Sequence, residues 1–299
     1  MTCHQYPIAV MSFNRPDYLE AVLQTLVRQV DSDLDQRPIA LFQDGCVNPS
    51  SEQRRAREED VIRCEKLFRE YVPSGAVHSS PDNLGIALNF ERAEKHVFEE
   101  LDAEAAIFLE DDLILSPHYI NSLDHLIAVA LANDRIGHVA VYGDHRTALS
   151  EQSKSPEAYV LLEHNWGFGL TRRQWVKNKL YVDPYLNIIR NTDYTLRDNN
   201  AIRKLYASWG MGPPGNSQDV TKTLACCLTG AAKLNTQACL GKYIGAKGIH
   251  MNQQWYDRLG YANTELYPRP ITVFEDLSDE RYQQIFSAQM QWATGKPYS

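Results

Sequence analysis

Short apolar runs and helical apolar stripes alternate through the first third of the chain. Ile8-Ala9-Val10-Met11, residues 39–42 and Ala105-Ala106-Ile107-Phe108-Leu109 are unbroken apolar segments of strand length, and each ends in polar or turn-forming residues. Between the first two, Leu19, Val22, Leu23, Leu26, Val27 and Val30 recur at i, i+3, i+4 and i+7, which predicts an amphipathic helix over residues 17–30. A charged helix over 51–71, a weak strand over 76–78 and a helix over 87–101 continue the alternation.

Strands alternating with helices predict an α/β fold with a mixed, mostly parallel sheet flanked by helices. In such sheets ligands collect beyond the carboxyl ends of the strands. Residues 12–15, 43–45, 83–85 and 110–112 all fall on that edge. Further on, a helix is expected over 117–133, strands over 137–142 and 159–162, and helices over 219–232 and 279–294. Residues 164–169 and 209–215, rich in aromatic residues, glycine and proline, read as shaped binding loops. The stretch 261–299 is expected to form an outer layer or a partner contact.

Composition narrows the function classes. With 299 residues, 43% hydrophobic and 23% charged, the chain can bury a substantial core as one large domain. A net charge of -8 without a long basic run argues against a nucleic-acid surface, because phosphate binding needs clustered Lys and Arg. Neither a signal peptide nor a membrane-length apolar run is visible, so a soluble or cytoplasmic protein is expected. Cys3, Cys46, Cys64, Cys226, Cys227 and Cys239 lack zinc-ribbon spacing. They read as reduced packing residues, although an even count also permits disulfides in an oxidising compartment.

The strongest chemical signal is Glu110-Asp111-Asp112 at the end of an apolar strand. Adjacent carboxylates repel one another, and a divalent cation with hard oxygen ligands, Mn²⁺ or Mg²⁺, relieves that repulsion. A solvated acidic loop is the alternative.

In order and separation, IAVMSFNRPDYL (residues 8–19), Gln43-Asp44-Gly45, Asn83-Leu84-Gly85 and FLEDDL (residues 108–113) resemble GT-A fold nucleotide-sugar glycosyltransferases. The motif style is closest to the N-acetylglucosaminyltransferase I family, with EDD in place of DxD. VAVYGDHR and NWGFGLTRRQW, within residues 139–175, extend the similarity more faintly, so it covers about residues 5–255. The resemblance implies a nucleotide-sugar half over about 1–125, an acceptor half over about 126–260 and a tail beyond. It implies a metal-dependent, inverting transfer of a sugar, GlcNAc as the first choice, from a UDP-sugar to a saccharide or glycoconjugate hydroxyl.

By the same resemblance Asp44 would accept from the uracil imide, Asp111 would lie near the ribose and Asp112 would bind the metal. Ser12, Asn14, Arg15, Asn83, Arg92 and Glu110 would line the nucleotide site. Asp44 is equally readable as an Asx turn with Gly45, and Arg15 and Arg92 as solvated charges. Asp219, after a Gly/Pro loop, is the candidate base, with an N-cap as the other reading and Asp144 as the rival base. His250 would be a further metal ligand or a structural histidine. Trp166, Phe168, Trp255 and Tyr256 would stack on sugars or pack the core. Two other classes remain open, a sugar-nucleotide nucleotidyltransferase and a nonenzymatic saccharide-binding protein. The first would need a glycine-rich phosphate loop where this chain has SFNRPDY.

Overall fold

The computed structural model describes residues 5–248 and 251–295. The chain opens with β1 (Ile8–Ser12), α1 (Pro16–Leu26), β2 (Ile39–Gln43), α2 (Glu58–Tyr71), β3 (Ala76–Ser79) and α3 (Ile86–Lys95), which runs on into a π-turn at His96–Glu100. Next come β4 (Ala105–Glu110), β5 (Leu113–Leu115), α4 (Tyr119–Ala132), β6 (Ile136–Val139), α5 (Leu149–Gln152), β7 (Tyr159–Leu161), β8 (Gly167–Thr171) and α6 (Arg172–Ile189). The remaining elements are α7 (Asn199–Ser208), α8 (Gln218–Leu228), β9 (Ala232–Thr236), β10 (Gly241–Tyr243), α9 (Gln253–Leu259) and α10 (Asp279–Thr294).

Local chemistry sets several boundaries. Pro16 starts α1 because its ring fixes a helical φ and its missing N–H would have been unpaired there anyway. The helix stops at Leu26, and Val27 and Val30, expected on its buried stripe, are exposed. Helix α2 begins seven residues later than expected, at Glu58, where Glu58, Glu59 and Asp60 meet the positive end of the helix dipole. The preceding residues are diverted by Asn48, whose side chain accepts from the Ser50 and Ser51 amides, and by a bridge between Val47 and Arg54.

One sheet has the order β3-β2-β1-β4-β8-β6-β9-β7, and a two-stranded ribbon pairs β10 with β5. Strands β3, β2, β1 and β4 are parallel, with Ser12 opposite Gln43 and Met11 opposite Glu110. That register lines up the carboxyl ends of β1, β2 and β4. The expected α/β class with a mostly parallel sheet flanked by helices is what the structure has, but β8 runs antiparallel to both β4 and β6, and β7 antiparallel to β9.

Strand β8 lies partly in the segment read as a loop. Its glycines mark close packing, since a Cβ at Gly167 would stand 2.7 Å from Tyr119 Oη and one at Gly169 2.6 Å from Ile127 Cδ1. The main core surrounds the sheet. A second, with Tyr185, Ile202, Tyr206 and Leu224, fills the space between α6, α7 and α8. Helix α10, with the boundaries expected, covers β7 and β9. The five described cysteines are free, and all except Cys46 are buried. Among the described residues no helix is long and apolar enough to cross a membrane.

Candidate active site

Strand β4 delivers Glu110, Asp111 and Asp112 to the carboxyl edge, and the loop after β1 brings Arg15 to them. The Arg15 guanidinium pairs with Asp111 and lies 2.8 Å from Asp112 Oδ2. Both aspartates are buried, and Asp112 Oδ1 is enclosed without a hydrogen-bond donor. Burial pushes the Asp112 carboxyl up to about 6, with Arg15 holding it down. The β5–β10 ribbon carries residues 244–248 over this cluster. Ile244 donates to the Asp112 carbonyl at 2.8 Å, and the Lys247 amide donates to Tyr18 Oη at 3.0 Å.

Asp44, Asn83 and Arg92 form the wall beside it, largely as braces. Asp44 Oδ1 accepts from the amides of Gly45 (2.9 Å) and Leu84 (2.7 Å), and Oδ2 from Gly85 N and Asn83 Nδ2 (both 3.0 Å). This is not a local Asx turn, since three of the four donors come from residues 83–85 and the fourth from the next residue, Gly45. All four acceptor directions are filled, so a uracil N–H would have to displace one of these donors. Arg92 also acts as a brace: its Nη2 donates to the Gln43 carbonyl (3.0 Å), the His78 carbonyl (3.1 Å) and Asn89 Oδ1 (2.7 Å), which ties the ends of β2 and β3 together. Ser12 is buried with an unpartnered hydroxyl, and its carbonyl accepts from the Asp44 amide at 3.0 Å. Asn14 is half-buried in the loop before Arg15.

Helix α8 places Asp219 across from the strand end. Burial and then the charge of Asp219, ahead of that of Asp112, push the Glu110 carboxyl well above its ordinary range. The N-cap of α8 is Ser217, so Asp219 does not serve as the cap. Its Oδ1 accepts from Gln218 Nε2 and, at 3.3 Å, from Asn165 Nδ2. Its Oδ2 has no hydrogen bond among the described residues. The rival, Asp144, is committed elsewhere: Arg146 donates to it through its amide (3.0 Å), Nε (2.7 Å) and Nη2 (3.2 Å). Although burial opposes it, this pairing leaves the Asp144 carboxyl below its ordinary range, the wrong direction for a proton acceptor.

The aromatic expectations divide. Trp166 is half-buried and stacks with Tyr243 (4.1 Å between centroids) and His164 (4.4 Å), while its carbonyl accepts from Glu110 N at 2.7 Å. Phe168 is a correction. It is fully buried, stacked on Phe108 and His138, and has no surface to offer a sugar. Tyr256 is also core, its hydroxyl donating to the Tyr243 carbonyl at 2.9 Å. Trp255, 49% exposed, stands under Arg258 on α9 and remains accessible. His250 lies outside the described residues.

Sequence reasoning passed over Asn165 and His138. Both are fully buried, and they are connected to each other at 3.4 Å. A polar residue inside the apolar run around His138 was the available signal. A small cavity of about 20 Å³ is lined by Glu94, His138, Asn178 and Lys222 among others, and by none of Glu110, Asp111, Asp112 and Asp219.

Neither a protein-family model nor a curated protein matches this sequence. Solved structures do. They include the mannosyltransferase PcManGT from Pyrobaculum calidifontis in complex with GDP-Man and Mn²⁺, at 14% identity and a TM-score of 0.48 over 96% of this chain and 69% of that one. TarS from S. aureus is similar at 12% identity and a TM-score of 0.43, over 97% of this chain and 43% of its own. GalNAc-T7 with UDP, GalNAc and Mn²⁺ is similar at 11% identity and a TM-score of 0.49, over 96% of this chain and 55% of its own. The chain spans about half the length of the last two. These are similarities of chain path at low identity.

Proposed function

We propose that the chain is a GT-A glycosyltransferase that transfers a sugar, GlcNAc as first choice, from a UDP-sugar to a saccharide or glycoconjugate hydroxyl with inversion. The observation that carries this reading is a set of carboxylates tied together at one end of the sheet: Asp111 and Asp112 follow β4, and Asp219 of α8 accepts at 3.3 Å from Asn165, whose neighbour Trp166 accepts from Glu110 N at 2.7 Å.

The divided roles follow from their surroundings. Asp112 presents a buried oxygen with no donor, the situation a hard cation would relieve, and Asp111 stands beside it. Among the described residues no three metal-ligating side chains converge, so these one or two carboxylates would hold Mn²⁺ or Mg²⁺ together with the oxygens of the donor diphosphate. When bound, such an ion supplies charge stabilisation to a departing diphosphate. Arg15, already seated between the carboxylates, would pair with the same diphosphate. Asp219 keeps one oxygen without a protein partner, and that oxygen would take the proton from the acceptor hydroxyl as the hydroxyl attacks opposite the leaving group. Trp166 and Trp255 would flank the sugars.

Thermal unfolding with UDP, GDP, CDP and dTDP and their common sugars, each with and without Mn²⁺, tests the donor site, because selective binding to the native state raises its apparent stability. A Mn²⁺-dependent rise with uridine compounds is expected, and Asp112→Ala is expected to remove both that rise and turnover. No rise with any nucleotide in folded protein would favour a saccharide-binding role.

A further inference from the structure

Behind the proposed base runs a line of buried amides and one imidazole, contributed by three separate parts of the chain: the segment before β8, β6 and α6. Asn165 Nδ2 donates to Asp219 Oδ1 at 3.3 Å, and Asn165 Oδ1 is 3.4 Å from His138 Nδ1. On the other side of the ring, His138 Nε2 is 3.5 Å from Asn178 Nδ2, and Asn178 Oδ1 accepts from Gln174 Nε2 at 2.7 Å. Asn165, His138, Asn178 and Gln174 are all nearly or fully removed from solvent. The His138 ring is fixed in its plane by stacking on Phe168, at 4.9 Å and 4°.

Chemistry gives the line one direction. In the ionised form required of a base, Asp219 only accepts, so Asn165 must turn its NH₂ toward it and its oxygen toward His138. That oxygen needs a donor, which puts the proton of a neutral imidazole on Nδ1 and leaves Nε2 to accept from Asn178. Asn178 then presents its oxygen to Gln174, as it does. Burial, with Lys233 and Lys222 nearby, keeps the ring neutral. Each link of the line therefore donates toward Asp219, while Gln174 Nε2 also donates to Thr229 Oγ1 at 2.9 Å. The consequence falls on the carboxylate: Oδ1 is held by Asn165 and Gln218, and Oδ2 is the oxygen left for the acceptor.

We infer that Asn165 and His138 are positioning residues, which fix the orientation of Asp219 and decide which of its oxygens acts. This rests on the reading of Asp219 as the base. Neither residue touches the reacting atoms, so their effect should appear in kcat and not in donor binding.

Two measurements test it. In protein labelled with ¹⁵N-histidine, long-range ¹H–¹⁵N spectra, with His138 assigned from its absence in His138→Phe, should show a neutral Nδ1–H ring at pH 7. An Nε2–H or charged ring would overturn the chain whatever Asp219 does. In turnover of UDP-GlcNAc, Asn165→Leu should lower kcat ~10–100-fold with KM changed less than about threefold, and should add no further loss in an Asp219→Asn background. His138→Asn, which keeps a donor near Nδ1, should retain most of the rate that His138→Phe loses; this pair carries the test if Asn165→Leu does not fold. An inactive Asp219→Asn beside fully active Asn165→Leu and His138→Phe would overturn the positioning role and leave the base in place. A fully active Asp219→Asn would instead overturn the base, and the histidine spectrum would still report on the chain.

Discussion

Arg15 Nη1 lies 2.8 Å from Asp112 Oδ2 while the same guanidinium grips Asp111, so the acidic cluster already contains one cation supplied by the chain itself. Its carboxylates are nearly buried and Arg15 is 27% exposed at the side chain, so the pair counts as partly desolvated. Arg15→Met is expected to destabilise the metal-free protein by about 2 kcal/mol, less than the ~3–5 kcal/mol of breaking a fully buried pair because Arg15 is partly exposed. It should also enlarge the rise in Tm that Mn²⁺ produces, because the ion would then meet two uncompensated carboxylates. Thermal unfolding across a Mn²⁺ series checks this. An unchanged response to Mn²⁺ would mean that Arg15 and the ion do not share the site.

Asp219→Asn keeps the size of the side chain and removes its capacity to accept a proton. A lost general base is expected to lower kcat by ~10²–10⁴-fold. UDP affinity, measured by calorimetry, should stay within about twofold because Asp111 and Asp112 are untouched. Weakened nucleotide binding in this variant would assign Asp219 to the donor pocket instead.

The half of the site built on β1, β2 and β4 was legible because each strand is an apolar run ending in a polar signature. Parallel pairing then brings those endings to one edge without further information. Arg92 shows where such reading stops: its position near the edge is right, but only the fold reveals that two backbone carbonyls claim its guanidinium. Strand β8 and the buried Lys233 of β9 were invisible for a different reason. Glycine-rich and charged stretches look like loops until tertiary packing shows that Ile127 fills the space at Gly169 and that Lys233 Nζ donates to Thr223 at 2.8 Å. Phe168 was misplaced because periodicity does not separate an aromatic wall of a pocket from an aromatic core.

Gly245 marks how closely the 244–248 segment is laid on the acidic cluster. A Cβ there would stand 2.6 Å from Asp112 Oδ2 and would also run into the Tyr243 hydroxyl, which donates to the Gly245 carbonyl at 3.0 Å. Gly245→Ala must therefore push the segment outward, at a cost of about 1–3 kcal/mol. Loss of UDP-induced stabilisation, out of proportion to the fall in Tm, is the expected result. An alanine variant with normal UDP response would show that this segment does not shape the donor site.

Asp193 joins the loop after β2 to the helical region after α6. It accepts from Ser51 Oγ (2.6 Å), Arg55 Nε (2.8 Å) and, across the turn, Thr195 N (3.0 Å). Burial alone would raise its carboxyl, but Ser51, Arg55 and Thr195 outweigh it and hold it at about 2, below the ordinary 3.8. A depressed carboxyl contributes stability that is complete above the unfolded value near 4 and disappears as pH falls toward 2. Over that interval the contribution is about 2 kcal/mol. Denaturant unfolding of Asp193→Asn should accordingly show a deficit of about that size at pH 7, shrinking between pH 4 and pH 2 as the wild-type carboxylate takes up its proton. A deficit that stays constant from pH 7 to pH 2 would mean that the packing of this side chain, and not its charge, holds the two regions together.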